Sequence, residues 1–152
     1  MRPRSRALCR VETDPGAFFM FLQINGYPFF WTVDELTDCL RVNVLSSDGS
    51  LLGVAWGSWD GPGILRFHGC AARGARLPFF TSDLVDQLCR LAFAVGADRA
   101  VTSHTLNPNR KPLDRFLLML GFEKEGEGFS LNLWNEPHGQ QEWRQDRSID
   151  QQ

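Results

Sequence analysis

The sequence predicts a single α/β (α+β) domain built on a mixed, mostly antiparallel sheet. Two observations predict this fold class. Residues 40–68 have the residue pattern of three strands joined by tight turns. In residues 81–134, segments with helical spacing of apolar residues are followed in turn by segments typical of strands. The chain has 152 residues, of which 43% are hydrophobic, and this length and composition suit one folded domain. With 16 basic and 18 acidic side chains, we expect no nucleic-acid partner, because neutralising several phosphates needs surplus Lys and Arg.

The two ends of the chain differ in composition from its centre. Residues 1–16 start with a basic segment that lacks the apolar run of a secretory signal. They predict a disordered basic arm, with an organellar presequence as the less favoured alternative. Residues 135–152 are rich in Gln and predict a flexible C-terminal tail, or else a docking peptide anchored by Trp143. The predicted domain is therefore 17–134.

The sequence predicts neither a membrane-spanning segment nor a metal site. No apolar run approaches the roughly 20 residues that span a bilayer. The four cysteines are scattered, with no paired spacing and no His at ligand spacing, so they predict no metal site. Reduced thiols then indicate a cytoplasmic location, or the host cytoplasm or virion if the protein is encoded by a phage.

A three-stranded meander is predicted first. Leu40–Leu45 alternates apolar and polar residues at its centre, and 47–50 forms an Asp-Gly hairpin turn. The return strand is Leu51–Trp59, in which the aromatic residues favour a pleated surface. A second turn at 60–63 leads into a third strand, Ile64–His68.

A helix and a parallel strand come next. Thr81 or Ser82 can cap the helix and Gly96 supplies its end. Its apolar face is predicted from the spacing of Leu84, Leu88, Leu91 and Val95. Arg99–His104 is predicted to form a short buried strand, and a right-handed crossover makes it parallel to the preceding strand.

A second helix and a closing strand complete the pattern. Asn107 and Asn109 punctuate the start of this helix, and Pro112 fits its first turn. Gly121 ends it, and Phe129–Trp134 forms the final strand. The buried stripe of the helix is predicted to be Leu113, Phe116, Leu117 and Leu120.

This order of elements resembles the GCN5-related N-acetyltransferase (GNAT) superfamily. The closest feature is Asn107–Gly126, which looks like the superfamily's C-terminal motif of an Asn, a helix, Leu-Gly-Phe, charged residues and Gly. The resemblance covers about Cys39–Trp134. The two helices usually found between the first strands are missing in this interpretation. Such a shortened front half is similar to the acetyltransferase-like proteins of bacteriophages.

The resemblance implies an acetyl-CoA site after the third strand. In the superfamily that strand splays from its parallel neighbour and pairs with the pantetheine arm, and the next loop holds the pyrophosphate. The corresponding residues here, with the two asparagines of the C-terminal motif, are Arg73, Gly74, Ala75, Arg76, Asn107 and Asn109. Arg76 and Pro78 stand where the superfamily has small residues, and a proline has no N–H to donate. The two arginines could hold phosphate through their guanidinium groups, or be ordinary loop residues.

The catalytic residues implied by the resemblance are incomplete. The superfamily often places a Tyr four residues before the Gly of Leu-Gly-Phe to protonate the departing thiolate, and here that residue is Leu117. The only tyrosine, Tyr27, lies outside the matched segment. His68 and His104, each near a strand end, are the candidates for the base, because a His titrates near neutral pH. A structural role is the alternative for either.

Seven aromatic residues precede the matched segment: Phe18, Phe19, Phe21, Tyr27, Phe29, Phe30 and Trp31. They form either a core that covers the sheet or an exposed surface for a protein partner. Two functional hypotheses follow. The first is an acetyl-CoA-dependent N-acetyltransferase acting on a small-molecule or protein amine. The second is a catalytically degenerate protein of the same fold that serves as a structural, internal virion or head-assembly protein of a bacteriophage.

Overall fold

The computed structural model describes residues 7–27, 31–74, 81–103 and 110–134. Within these ranges the helices and strands, in chain order, are β1 Leu8–Val11, α1 Pro15–Ile24, α2 Val33–Thr37, β2 Leu40–Leu45, β3 Leu51–Gly61, β4 Ile64–Ala71, α3 Ser82–Ala94, β5 Arg99–Thr102, α4 Arg110–Met119, β6 Glu123–Glu125 and β7 Gly128–Asn132. None of the helices in the described ranges is long and apolar enough to cross a membrane.

The strands form one sheet in the order β1-β2-β3-β4-β5-β7-β6. The pairs β1–β2, β2–β3, β5–β7 and β6–β7 are antiparallel. β4 and β5 are parallel, with Ile64 opposite Arg99 and Phe67 opposite Thr102. The predicted fold class, a mixed and mostly antiparallel sheet with a parallel crossover pair, is therefore confirmed.

The chain divides into two compact units. The first comprises the described residues of 1–58 and 68–88, and the second those of 59–67 and 89–152. The division falls within β3, β4 and α3, so each of these elements contributes to both units.

The front half of the first unit contains the two helices that the sequence analysis took to be missing. α1 begins at Pro15, and Asp14 caps it by accepting hydrogen bonds from the backbone N–H groups of Gly16 and Ala17. α2 begins with a reciprocal capping box between Thr32 and Glu35. The prediction of a shortened front half is wrong.

The prediction of a disordered arm over 1–16 is also wrong for residues 8–16, which contain β1 and the start of α1. Leu8–Val11 forms β1, which pairs with β2 along its whole length. The outer edge of β1 is covered by Gln87 of α3. Its amide nitrogen donates to the Ala7 carbonyl at 2.8 Å, and its amide oxygen accepts from the Cys9 N–H at 3.0 Å. Residues 1–6 lie outside the described ranges.

The core of the first unit is aromatic. Its buried members are Phe18, Leu22, Leu36, Val54, Trp56 and Cys70. Partly buried side chains that pack against them are Phe19, Phe21, Tyr27, Trp31 and Cys39. The aromatic segment therefore contributes to the core, as one of its two predicted interpretations requires, while Phe29 and Phe30 lie outside the described residues.

The second unit contains β5, α4 and the final hairpin. Its buried side chains include Leu65, Phe93, Leu117, Phe122, Phe129 and Leu133. Pro112 lies in the first turn of α4 and Gly121, with φ of 98°, follows its last turn, as predicted. The closing strand is β7, Gly128–Asn132, which pairs with β6, a strand that the sequence analysis did not predict.

The apolar face of α3 differs from the predicted one at its C-terminal end. Thr81 caps the helix, since its hydroxyl accepts the Leu84 N–H at 3.1 Å. The buried positions are Leu84, Val85, Leu88, Cys89, Ala92 and Phe93, whereas the predicted Val95 is 47% exposed. Val95 lies beyond the last helical residue, Ala94, so helical spacing no longer directs its side chain to the core.

Candidate functional site

The second half of β4 has an open edge. β4 pairs with β5 over its first four residues, and the last pair is Phe67 with Thr102. In the described ranges β4 continues through His68–Ala71 without a partner from β5. Of the predicted site residues, Ala75, Arg76, His104, Asn107 and Asn109 lie outside the described residues.

His68, the first residue of this open half, stacks on Trp56 of β3. The two ring centroids are 5.2 Å apart and the planes differ by 23°. The imidazole Nε2 lies 3.2 Å from the Ser58 hydroxyl oxygen. Trp31 meets the imidazole edge-on, at a centroid distance of 5.0 Å. His68 is half-buried, and these contacts hold its ring in one orientation.

Three further aromatic rings surround Trp56. Phe18, Tyr27 and Trp31 contact it edge-on, with centroids 5.6, 5.1 and 6.2 Å away. Trp56 itself is 1% exposed, and its indole N–H has no hydrogen-bond partner among the residues that the structure describes. Tyr27 is half-buried, and burial, followed by the nearby Cys70, raises the pKa of its phenol. The phenol therefore stays protonated at neutral pH.

Asn25, at the C-terminal end of α1, joins that helix to the loop after β4. Its side-chain N–H donates to the Phe21 carbonyl at 2.9 Å, and its side-chain oxygen accepts the backbone N–H of Arg73 at 2.8 Å. A Cβ added to the neighbouring Gly26 would lie 2.7 Å from a guanidinium nitrogen of Arg73. We call the two hydrogen bonds of the Asn25 side chain, with the Phe21 carbonyl and with the Arg73 N–H, the Asn25 latch. The Arg73 backbone N–H is thus already used within the chain.

The next residue of the loop leaves room for a ligand. Gly74 has φ of 78°, and a Cβ built there would meet no atom of the described residues within 4 Å. A phosphate could therefore approach the Gly74 backbone closely, as a glycine-containing phosphate loop requires. Arg73, the residue before Gly74, is exposed and carries a positive charge, and its guanidinium lies against Gly26.

Leu117 of α4 belongs to the core. Its side chain is only 5% exposed. The position at which the GNAT resemblance implies a tyrosine is therefore apolar and covered.

Sequence reasoning did not assign Asn25 or Trp56 to this region. It named Tyr27 and Trp31 only as members of the aromatic segment and did not place them beside His68. The Asn25 latch joins residues 48 positions apart, and no local pattern reports such a contact. The capping signals Asp14-Pro15 and Thr32-x-x-Glu35 were present in the sequence and could have located α1 and α2. Both helices would then have placed the aromatic segment next to β4.

Comparison of the fold with solved structures identifies GNAT acetyltransferases. Spermidine N-acetyltransferase from Vibrio cholerae, a dodecamer, matches with a TM-score of 0.65 at 12% identity, over 83% of this chain and 93% of that one. Phosphinothricin acetyltransferase from Sinorhizobium meliloti, in complex with acetyl-CoA, matches with a TM-score of 0.60 at 14% identity, over 88% and 94%. Aminoglycoside acetyltransferase AAC(6')-Ib, with coenzyme A and kanamycin, matches with a TM-score of 0.58 at 16% identity, over 97% and 100%.

No protein-family model and no curated protein sequence matches the chain. The likeness is thus one of three-dimensional structure, and at such identities it establishes the fold and not the reaction. The chain shares the fold of these acetyltransferases.

Proposed function

We propose that this chain is an acetyl-CoA-dependent N-acetyltransferase that acts on an amine. The observation that carries the proposal is the open edge of β4 from His68 to Ala71, followed directly by Arg73 and the unobstructed Gly74. An open strand edge offers N–H and C=O groups to an extended amide chain, and the pantetheine arm is such a chain. The bound coenzyme A and acetyl-CoA of two structural neighbours support the same assignment.

Two groups hold the cofactor in this proposal. The N–H and C=O groups of His68–Ala71 pair with the pantetheine amides. Gly74 and the Arg73 guanidinium hold the phosphates. Ala75, Arg76, Asn107 and Asn109 remain predicted cofactor contacts from the sequence and lie outside the described residues. When bound, acetyl-CoA supplies the thioester from which the acetyl group is transferred.

His68 accepts the proton of the incoming amine. The reaction forms a C–N bond and breaks the thioester C–S bond; His68 releases the amine's proton to solvent, and the departing sulfur takes a proton from solvent, so that no net proton is gained or lost. Contacts with Trp56, Trp31 and Ser58 orient the imidazole for this role. Because Leu117 cannot donate a proton, solvent water protonates the thiolate. His104 is the second candidate for the base.

The second candidate function is a bacteriophage structural or head-assembly protein that retains the fold without the reaction. It is favoured by Leu117, which is buried where the resemblance implies a tyrosine. Two of its earlier supports no longer hold. The front half contains α1 and α2, and the aromatic segment contributes to the core.

Calorimetric titration with acetyl-CoA tests the proposal. We expect saturable binding to the wild-type protein and clear weakening in Arg73→Ala. Arg10→Ala is the matched control, because Arg10 is an exposed arginine of the same unit on the edge strand β1. Absence of binding at millimolar acetyl-CoA would exclude the enzyme and leave the structural protein. A His68→Gln variant that binds acetyl-CoA normally and loses acetyl transfer would assign the base.

A further inference from the structure

We propose that the C-terminal end of α1 positions the loop that binds the phosphates, because Asn25 holds the backbone of Arg73 and Gly26 makes room for its guanidinium. Asn25 and Gly26 are then positioning residues that act through Arg73 and do not themselves touch the cofactor. This role rests on the proposed acetyl-CoA site. All of these residues belong to the first unit.

α1 ends in a Schellman motif over which the guanidinium lies. The Tyr27 N–H donates to the Leu22 carbonyl at 3.0 Å, and the Gly26 N–H donates to the Gln23 carbonyl at 3.2 Å. Gly26 occupies the left-handed position of this motif, with φ of 72°. A Cβ at this position would lie 2.7 Å from a guanidinium nitrogen of Arg73. Any larger residue would therefore push the guanidinium away from its present place.

The charge of Arg73 favours the same place. The C-terminal end of a helix carries a partial negative charge, which a nearby cation stabilises. α1 has no basic residue in its own last turn, so Arg73 supplies this cation from a distant part of the chain. In the part of the chain that the structure describes, no carboxylate pairs with the guanidinium. The side chain is thus held in place while its N–H donors remain available to a phosphate.

The backbone before Gly74 is fixed by two successive hydrogen bonds. The Ala72 N–H donates to the Leu52 carbonyl at 2.8 Å, and the Arg73 N–H donates to the Asn25 side chain at 2.8 Å. Gly74 comes next, and its own N–H has no hydrogen-bond partner among the described residues. Because the two preceding N–H groups are held, less of this loop has to be ordered when a phosphate binds.

Calorimetric titration of acetyl-CoA into a double-mutant cycle tests the role of α1. Gly26→Ala should weaken binding about two- to twelvefold, because the displaced Arg73 side chain must then be ordered on binding. The same substitution made in Arg73→Ala should have no effect, since the guanidinium through which Gly26 acts is absent. Asn25→Ala should weaken binding in both backgrounds, because Asn25 holds the backbone of Arg73 and not its side chain.

Gly49→Ala is the matched control. Gly49 lies in the same unit and also has a left-handed backbone, with φ of 88°, but a Cβ there would meet no atom of the described residues within 4 Å. This variant should therefore have backbone strain similar to that of Gly26→Ala without weaker binding of acetyl-CoA. Equal affinities of the two variants, with both folded by circular dichroism, would overturn the role of Gly26.

The outcomes separate the role of α1 from the proposed function. A wild-type protein that binds no acetyl-CoA would overturn both. A protein that binds acetyl-CoA equally well as wild type, Asn25→Ala and Gly26→Ala keeps the function and loses the role of α1. An effect of Gly26→Ala that persists in Arg73→Ala would also count against this role, because Gly26 would then act by a route other than the guanidinium.

Discussion

Replacing Asn25 with Ala tests whether α1 holds the loop after β4. The change removes two hydrogen bonds, one of 2.9 Å to the Phe21 carbonyl and one of 2.8 Å from the Arg73 N–H. Each such bond contributes about 0.5–1.5 kcal/mol, and Arg73 is exposed, so the lower half of that range applies. We expect a loss of about 1–2 kcal/mol in the free energy of unfolding. For a chain of this length that loss lowers the Tm by about 2–8 °C.

The hydrogen-exchange rate of the Arg73 amide proton reports directly on its hydrogen bond with Asn25. In the wild-type protein the Asn25 oxygen protects this N–H, and in Asn25→Ala we expect its exchange to be faster by about two- to fivefold, which is the fold-change of one weak hydrogen bond. Asn25→Asp keeps an acceptor for Arg73 but loses the donor to Phe21. It should therefore lose stability, partly because a carboxylate at a helix C-terminus is unfavourable, while retaining the protection of Arg73.

The control is Asn132→Ala. The side-chain oxygen of Asn132 accepts the backbone N–H of Trp134 at 3.0 Å, so this variant loses a similar bond at a different place. It should leave the exchange of Arg73 unchanged. Equal exchange rates for the Arg73 amide in wild-type protein and Asn25→Ala would refute the latch, whatever the Tm.

Three further predictions concern other residues. The pKa of Cys9 is raised from 9.0 to about 11 by burial and then by Asp83, so its stabilising effect is complete below pH 9 and lost as pH rises toward 11. The Tm of the wild-type protein should fall more between these pH values than that of Cys9→Ala. Gly63→Ala should destabilise by about 1–3 kcal/mol in urea denaturation, because Gly63 has φ of 72° and a Cβ would lie 2.5 Å from an Asp98 oxygen. A midpoint equal to that of wild type would contradict this. Leu117→Tyr should lose about 1–3 kcal/mol by overpacking, since Leu117 is 5% exposed; unchanged stability would show that the site has room.

The second half of the fold was predictable because its signals are local. β2 has the predicted bounds, Leu40–Leu45, since apolar and polar residues alternate at its centre. α3 begins after the capping residue Thr81, and both α3 and α4 carry apolar residues at helical spacing. These local patterns do not depend on contacts with residues far away in the sequence.

The first half was not predicted, and the reasons are physical. α1 contains apolar residues on nearly every side, PGAFFMFLQI, so it has no amphipathic period to identify it as a helix. β1 has four residues, and its strand conformation depends on pairing with β2. Both elements are set by tertiary contacts that sequence spacing does not report.

The candidate site was predicted only in part for the same reason. Arg73 and Gly74 follow a strand and could be matched to a motif. Trp56 and His68 lie on neighbouring strands, and their stacking depends on the register of β3 and β4. Asn25 reaches Arg73 only because α1 ends beside that loop.

Gln87 has a consequence for assembly. Its carboxamide takes the hydrogen bonds that another chain's backbone would make with Ala7 and Cys9, and so acts as a substitute for a neighbouring strand. A second molecule could not extend the sheet past β1 without first displacing this amide. Growth into fibres by strand addition is thereby discouraged at the β1 edge of the sheet.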